Sequence, residues 1–183
     1  MNCRALFDSL FPGFFQGTKD MPESQIFTEL ILDLRKEEPK QAGACFDAIT
    51  FGEYHGEIGT LRKAVSQVEA DWTQYFDDGT RVFCAFDGDA VVSFCVLTDW
   101  GMHDGLHVGG PGCVGTVPAY RRRGIGLEMV RRATNLLKEE GFDLSWIHYT
   151  HVGKWYEKLG YRTVLRWNGK GIIWEENHDA QAV

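Results

Sequence analysis

Val114-Gly115-Thr116-Val117-Pro118-Ala119-Tyr120-Arg121-Arg122-Arg123-Gly124-Ile125-Gly126-Leu127 reads as the end of a strand, a sharp turn rich in arginine and glycine, and the start of a helix. A helix start leaves its first backbone N–H groups without intrahelical partners, and the helix dipole adds partial positive charge there. Such a turn is an anion site suited to a pyrophosphate. A Cβ at Gly124 or Gly126 would hold phosphates away from the backbone. Arg121, Arg122 and Arg123 can pair with the remaining phosphate charge, a ribose 3′-phosphate included. Taken alone, Arg121–Gly126 is also compatible with a merely charged turn. A dinucleotide-binding loop would need a further glycine near position 129, which is Met129.

Downstream, a helix is predicted from Gly124 to Glu140, with Ile125, Met129, Ala133, Leu136 and Leu137 as its buried stripe and Gly141 as its stop. FDLSWIHY (142–149) reads as a buried strand, VGKWYEKLG (152–160) as a short helix ended by Gly160, and YRTVLRW (161–167) as a strand. Gly169-Lys170-Gly171 turns into a last strand, IIW (172–174), before a frayed tail at 177–183. Upstream, RVFCAF and AVVSFCVL alternate around Asp87-Gly88-Asp89, the signature of a tight hairpin. TDWGMHDGL (98–106) reads as a loop, and HVGGPGCVGTV (107–117) as a strand in which Pro111 predicts a bulge or splayed pairing.

Earlier still, IFTELILDLRKE (26–37) is expected as a strand. Pro39 opens a predicted helix to about Phe51, bearing Ala42, Cys45, Phe46 and Ile49 on one face. GEYHGEIG (52–59) reads as a turn, and a second helix is expected over 60–76 with Leu61, Ala64, Val65, Val68 and Trp72 inward. Residues 1–25 form an N-terminal arm carrying Phe7, Phe11, Phe14 and Phe15, packed on the domain or on a second subunit. Residues 26–176 are expected as a single domain, since 183 residues suit one core better than two.

Apolar residues at 44% and charged residues at 25% are those of an ordinary globular chain. No apolar run approaches the roughly 18 residues of a membrane span, and Asp8, Ser9 and Pro12 break the opening stretch, so a cytoplasmic location without membrane contact is expected. The five cysteines are scattered, with no C-x-x-C pair, and suggest neither disulfides nor a metal site. Charge is segregated: residues 1–118 hold 8 Lys+Arg against 18 Asp+Glu, a balance of -10, and residues 119–170 hold 11 against 5, a balance of +6. A polyanion would be drawn to the second segment and a cation to the first. The basic cluster is compact in an acidic chain, which argues against nucleic acid as a partner.

The chain resembles the GNAT family of N-acetyltransferases. Arg121-x-x-Gly124-x-Gly126 is similar to that family's Q/R-x-x-G-x-G/A loop, and Trp155-Tyr156-Glu157-Lys158-Leu159-Gly160-Tyr161 to its F-Y-E-K-L-G-F segment, in the same order and spacing. The resemblance implies an α/β fold: a mixed, mostly antiparallel sheet of six or seven strands, helices on both faces, splayed between the fourth and fifth strands. It implies acetyl-CoA as cosubstrate, without a metal, and direct acetyl transfer to a primary amine of a small molecule or peptide in a ternary complex. The alternative on the same fold is a non-catalytic acyl-CoA-binding or regulatory domain.

By the same resemblance, backbone groups around Val114 and Thr116 hold the pantetheine arm and polarise the acetyl carbonyl. The amides of Arg122 through Leu127, Arg123, Gly124, Ile125 and Gly126 among them, take the pyrophosphate. Tyr156 stands where the family places a general acid for the departing thiolate. The general base is open: strand 143–149 offers no glutamate, and Tyr149 replaces a frequent asparagine. His148 and His151 are the first candidates. His103, Asp104 and His107, with Glu53, His55 and Glu57, are expected to form an acidic, His-bearing rim that would attract a cationic amine, while Trp100, Tyr54 and the N-terminal phenylalanines would suit an aromatic one. Many family members dimerise, and the aromatic arm would suit a homodimer.

Overall fold

The computed structural model describes residues 1–42, 46 and 48–176. One sheet contains β1 (Phe27–Asp33), β2 (Ile49–Glu53), β3 (Val82–Asp87), β4 (Ala90–His103), β5 (Leu106–Thr116), β6 (Leu144–Thr150), β7 (Arg162–Asn168) and β8 (Gly171–Glu175). The helices are α1 (Cys3–Leu10), α2 (Ile58–Ser66), α3 (Ile125–Glu139) and α4 (Gly153–Glu157), with 3₁₀ turns at Phe14–Gln16, Ala70–Tyr75 and Pro118–Tyr120. The strand order is β2-β3-β4-β5-β6-β1-β7-β8, and β5 with β6 is the parallel pair in an otherwise antiparallel sheet. Among the described residues no helix is long and apolar enough to cross a membrane.

The mixed sheet covered on both faces is the expected architecture, with eight strands in place of six or seven. The additional one is β2, where a helix was expected over 39–51. Ile49-Thr50-Phe51 are β-formers, and they pair with Asp87, Phe86 and Ala85 of the β3 edge. Residues 39–42, 46 and 48 are not helical, and Cys45 lies outside the described residues, as does the tail from 177. The helix expected over 60–76 is two pieces, α2 and the 70–75 turn. The loop expected over 98–106 is mostly strand: β4 and β5 run on to a second hairpin whose tip, Asp104-Gly105, has φ of 51° and 76°, the positive pair a tight primed turn needs.

The N-terminal arm is also more regular than its sequence suggested. Asn2 caps α1 by accepting from the Ala5 N–H at 3.0 Å, and Cys3, Leu6 and Phe7 at helical spacing are buried. Eight residues do not hold a helix alone, so the packing of this face on Ile31, Trp146 and Leu165 supplies its stability. The arm thus lies on its own sheet.

α3 and α4 cover the opposite face, where Ile125, Met129, Ala133, Leu137 and Tyr156 join Leu30, Leu97 and Ile147 in one core. α3 ends as its sequence dictates, with Gly141 at φ 87° and the Phe142 N–H returning to the Leu137 carbonyl. α2 packs on the face that α1 also covers, over Val82, Cys84 and Phe94.

β5 and β6 pair only at Val108–Leu144 and Gly109–Ser145 and then part. The ladder explains how Pro111 is accommodated. Leu97, its partner on β4, turns its N–H to the Arg81 carbonyl of the β3 side, so the imino edge of Pro111 faces away from β4, toward the gap. The bulge lies nearby, between the Val96–Gly112 and Phe94–Gly115 pairs, where Cys113 holds a φ of 46°. Just before the parting the strands are in close contact: a Cβ on Gly110 would lie 2.0 Å from the Trp146 carbonyl oxygen. Gly110→Ala is therefore expected to lower stability by about 3 kcal/mol, roughly 6–12 °C in melting temperature, as read by thermal unfolding.

Candidate active site

The turn between β5 and α3 is built from its backbone outward. Arg122 and Gly124 hold φ of 62° and 81°, and Gly124 caps α3 without any side-chain acceptor for the first-turn N–H groups. Those of Ile125, Gly126 and Leu127 stay open to a ligand. The Tyr120 hydroxyl donates to Asp87 at 2.8 Å and fastens the turn to the β3–β4 hairpin. Arg121 donates to the Thr116 carbonyl, and Arg123 donates to the Ala119 carbonyl while lying over the Tyr120 ring. Among the described residues none of the three arginines pairs with a carboxylate, so their charge remains available to an anion.

Gly126 also has a packing role: a Cβ there would stand 2.6 Å from Thr116 Oγ1, so the glycine lets α3 close onto β5. Thr116 is in turn fixed by Ser93, whose hydroxyl donates to the Gly115 carbonyl at 2.7 Å and meets Thr116 Oγ1 at 2.9 Å.

A cleft of about 450 Å³ opens here, and its walls include Val114, Thr116, Arg121, Arg122, Gly126 and Tyr156. Gly124, Ile125 and Leu127 also line it, whereas Arg123 does not. The strand, the turn and Tyr156, some thirty residues apart in sequence, thus border one space. Tyr156 is 5% exposed, and no group among the described residues hydrogen-bonds its hydroxyl. Among the described residues no fully buried side-chain oxygen lacks a partner, so that hydroxyl keeps some exposure, and Tyr156 lines the cleft. Burial, with smaller contributions from Cys95, Tyr161 and Cys113, pushes the Tyr156 phenol far above its ordinary value. It is therefore a protonated donor at any physiological pH. Behind it, the Tyr161 hydroxyl joins Ser145 at 2.6 Å and Thr134 at 2.8 Å, tying β6 and α3 together; burial pushes that phenol up to about 12.

The candidate bases are separated. His151 lies beside a second cleft of about 540 Å³, with Thr28, Lys154, Glu157 and Arg166, which adjoins the first across Val152 and Trp155. His148 sits on the other face of β6, its ring stacked on Phe11 at 3.8 Å and its Nδ1 2.9 Å from Glu29. Of the residues expected at an acidic, His-bearing rim, three are engaged by other groups. Glu53 is paired with Arg81, His107 with Asp99, and His103 is held between Ser9 and the Trp100 carbonyl.

Glu29 is the residue that sequence reading passed over. It is fully buried, and its two oxygens accept from four N–H groups: Trp146 Nε1 at 2.7 Å, Trp167 Nε1 at 2.8 Å, His148 Nδ1 at 2.9 Å and the Tyr149 amide at 3.1 Å. Its signal was present: an acidic residue in mid-strand, at an inward position between Phe27 and Ile31, is rare without a dedicated set of donors.

Residues 78–163 match the model of the acetyltransferase (GNAT) domain. The fold is shared with the GCN5-related glucosamine N-acetyltransferase region of a fungal multi-domain GH3 beta-N-acetylglucosaminidase, at TM-score 0.67 and 22% identity over 90% of this chain and 22% of that one. It is shared with a GCN5-related N-acetyltransferase from Kribbella flavida, at TM-score 0.56 and 18% identity over 78% of this chain and 56% of that one. Another from Sphaerobacter thermophilus has TM-score 0.56 and 15% identity over 90% and 53% of the two chains. The chain thus spans about a fifth of the first protein and just over half of the other two. No curated protein matches the sequence.

Proposed function

We propose, from the match of residues 78–163 to the acetyltransferase (GNAT) domain model, that the chain transfers the acetyl group of acetyl-CoA to a primary amine by direct attack in a ternary complex. The supporting observation is the single cleft that brings the uncapped start of α3, the parted β5 backbone and the Tyr156 hydroxyl to one place. The open amides at Ile125–Leu127 and the carboxylate-free arginines suit a pyrophosphate. The backbone near Val114 and Thr116 offers hydrogen bonds to an extended thioester arm at the parting of the strands. The Tyr156 hydroxyl gives its proton to sulfur as the C–S bond breaks.

The acceptor is a small molecule or peptide amine. An amino sugar leads the set to be tried, because the fungal structure of this fold is described as a glucosamine N-acetyltransferase region. The test is thiol release from acetyl-CoA over a panel of amino sugars, polyamines, arylalkylamines and lysine peptides, with acetylated product identified by mass. Amine-dependent release is expected for at least one class. Tight acetyl-CoA binding without release for any amine would favour a non-catalytic acyl-CoA-binding domain instead.

A further inference from the structure

Glu29 and His148 lie across the sheet from Tyr156. Successive residues of β6 alternate faces: Ile147 joins the core under α3 that contains Tyr156, and Trp146 joins the core under α1. His148 follows Trp146 on that second face, stacked on Phe11 of the segment after α1. The β5–β6 register places Gly109 beside Ser145; continued past the parting, it would set Gly112 beside His148. Among the described residues nothing stands within 4 Å of where a Gly112 side chain would be, so there is open space beside the gap on this face.

The hydrogen bonds also settle the imidazole's tautomer. Two indole N–H groups and the Tyr149 amide can only donate to Glu29, so the carboxylate is an acceptor at both oxygens, and His148 Nδ1 carries the proton that completes the set. In the neutral imidazole the lone pair is then on Nε2. From α1 and the turn after it, the groups facing the ring are Phe7, Phe11 and Phe14, all uncharged; from β1 it is Glu29; beside it is Tyr149, whose phenol burial pushes up. The side chain is 23% exposed, enough for one edge to meet a substrate. Tyr149 itself holds a φ of 56°, a conformation that costs a non-glycine residue about 1–2 kcal/mol and turns its amide to Glu29.

We propose that His148 accepts the proton of the incoming ammonium at Nε2, and that Glu29 is the positioning residue that fixes its ring and tautomer. This rests on the acetyltransferase reading above. An R–NH₃⁺ group gives one proton to Nε2, leaving an imidazolium beside the Glu29 carboxylate. The neutral nitrogen forms the C–N bond at the acetyl carbon while the C–S bond breaks. Sulfur takes the Tyr156 proton, the second nitrogen proton restores the phenol, and His148 releases its proton to water. Acid and base thus act from opposite faces of the same parted strands.

His148→Ala is expected to lower kcat with the best amine about 100-fold while leaving acetyl-CoA affinity unchanged. Added imidazole should restore rate in proportion to its neutral form, and methylimidazoles of greater basicity should rescue better. Glu29→Gln should lower kcat about 10- to 100-fold, again with acetyl-CoA affinity unchanged. Because that amide turns an NH₂ toward two donors and can weaken folding, the rescue series on His148→Ala carries the test. Full activity in His148→Ala, or loss that no base of any strength restores, would overturn the dyad while amine-dependent release by the wild type keeps the acetyltransferase reading. Absence of release by the wild type would overturn both.

Discussion

Replacing Tyr156 by phenylalanine should lower kcat about 100- to 1,000-fold and leave the affinity for acetyl-CoA within a factor of two. The substitution removes one oxygen from a side chain that is 5% exposed and otherwise keeps its packing against Trp155 and Tyr161. Nothing among the described residues hydrogen-bonds that oxygen, so the fold loses little when it goes. The sign of the pH effect follows from burial, which disfavours phenolate: the hydroxyl stays protonated throughout the assay range, and any fall of kcat below about pH 10 belongs to another group. Steady-state kinetics beside a binding titration check both points. Equal loss of kcat and of acetyl-CoA affinity would mean that Tyr156 shapes the cleft and does not donate its proton.

Glu29→Ala should destabilise the protein by about 3–5 kcal/mol, seen as a lower denaturation midpoint. Truncation leaves two indole N–H groups and a backbone amide without their acceptor in a region where Phe7, Trp146 and Trp167 exclude water. Each orphaned donor loses a charge-assisted hydrogen bond, the stronger kind. A loss under 1 kcal/mol would show that the site rehydrates on truncation. The same substitution should loosen the 1–16 segment, since Phe7, Phe11 and Phe14 rest on the His148 ring that Glu29 holds. Faster amide exchange in α1 would report it.

These two residues differ in how far the sequence disclosed them. Tyr156 sits inside a local pattern, a short helix closed by Gly160 at φ 96°, and the turn from Arg121 to Leu127 is likewise contiguous. Short-range chemistry of that kind is readable because glycine placement, charge and apolar period act within a few residues. α3 and the Asp87-Gly88 hairpin were readable for the same reason. Glu29 was not, because its meaning depends on Trp146 and Trp167, more than a hundred residues away in sequence.

The misread elements have a common cause. β2 is a strand because the β3 edge needs a partner, which outweighed a proline-led pattern that suggested a helix. α1 is a helix because the sheet beneath it offers an apolar bed; its Asn2 cap and the spacing of Cys3, Leu6 and Phe7 were visible but too short to stand alone. The hairpin at Asp104-Gly105 carried the same Asp-Gly signal that located the earlier one. Tryptophan, histidine and glycine in its flanks obscured the alternation. Three of the histidines are held by groups that sequence proximity did not suggest: His103 by Ser9 and the Trp100 carbonyl, His107 by Asp99 and His148 by Glu29.

The cleft at the start of α3 is tested most directly by the thermal unfolding of the wild-type protein with and without acetyl-CoA. A ligand held by the open amides of Ile125–Leu127 and by Arg121 and Arg122 should stabilise the native state by about 2.7 kcal/mol at 100 times its dissociation constant, saturably. An unchanged midpoint at every acetyl-CoA concentration up to the millimolar range would mean that the turn binds no acyl-CoA, and the assignment of this cleft would fall.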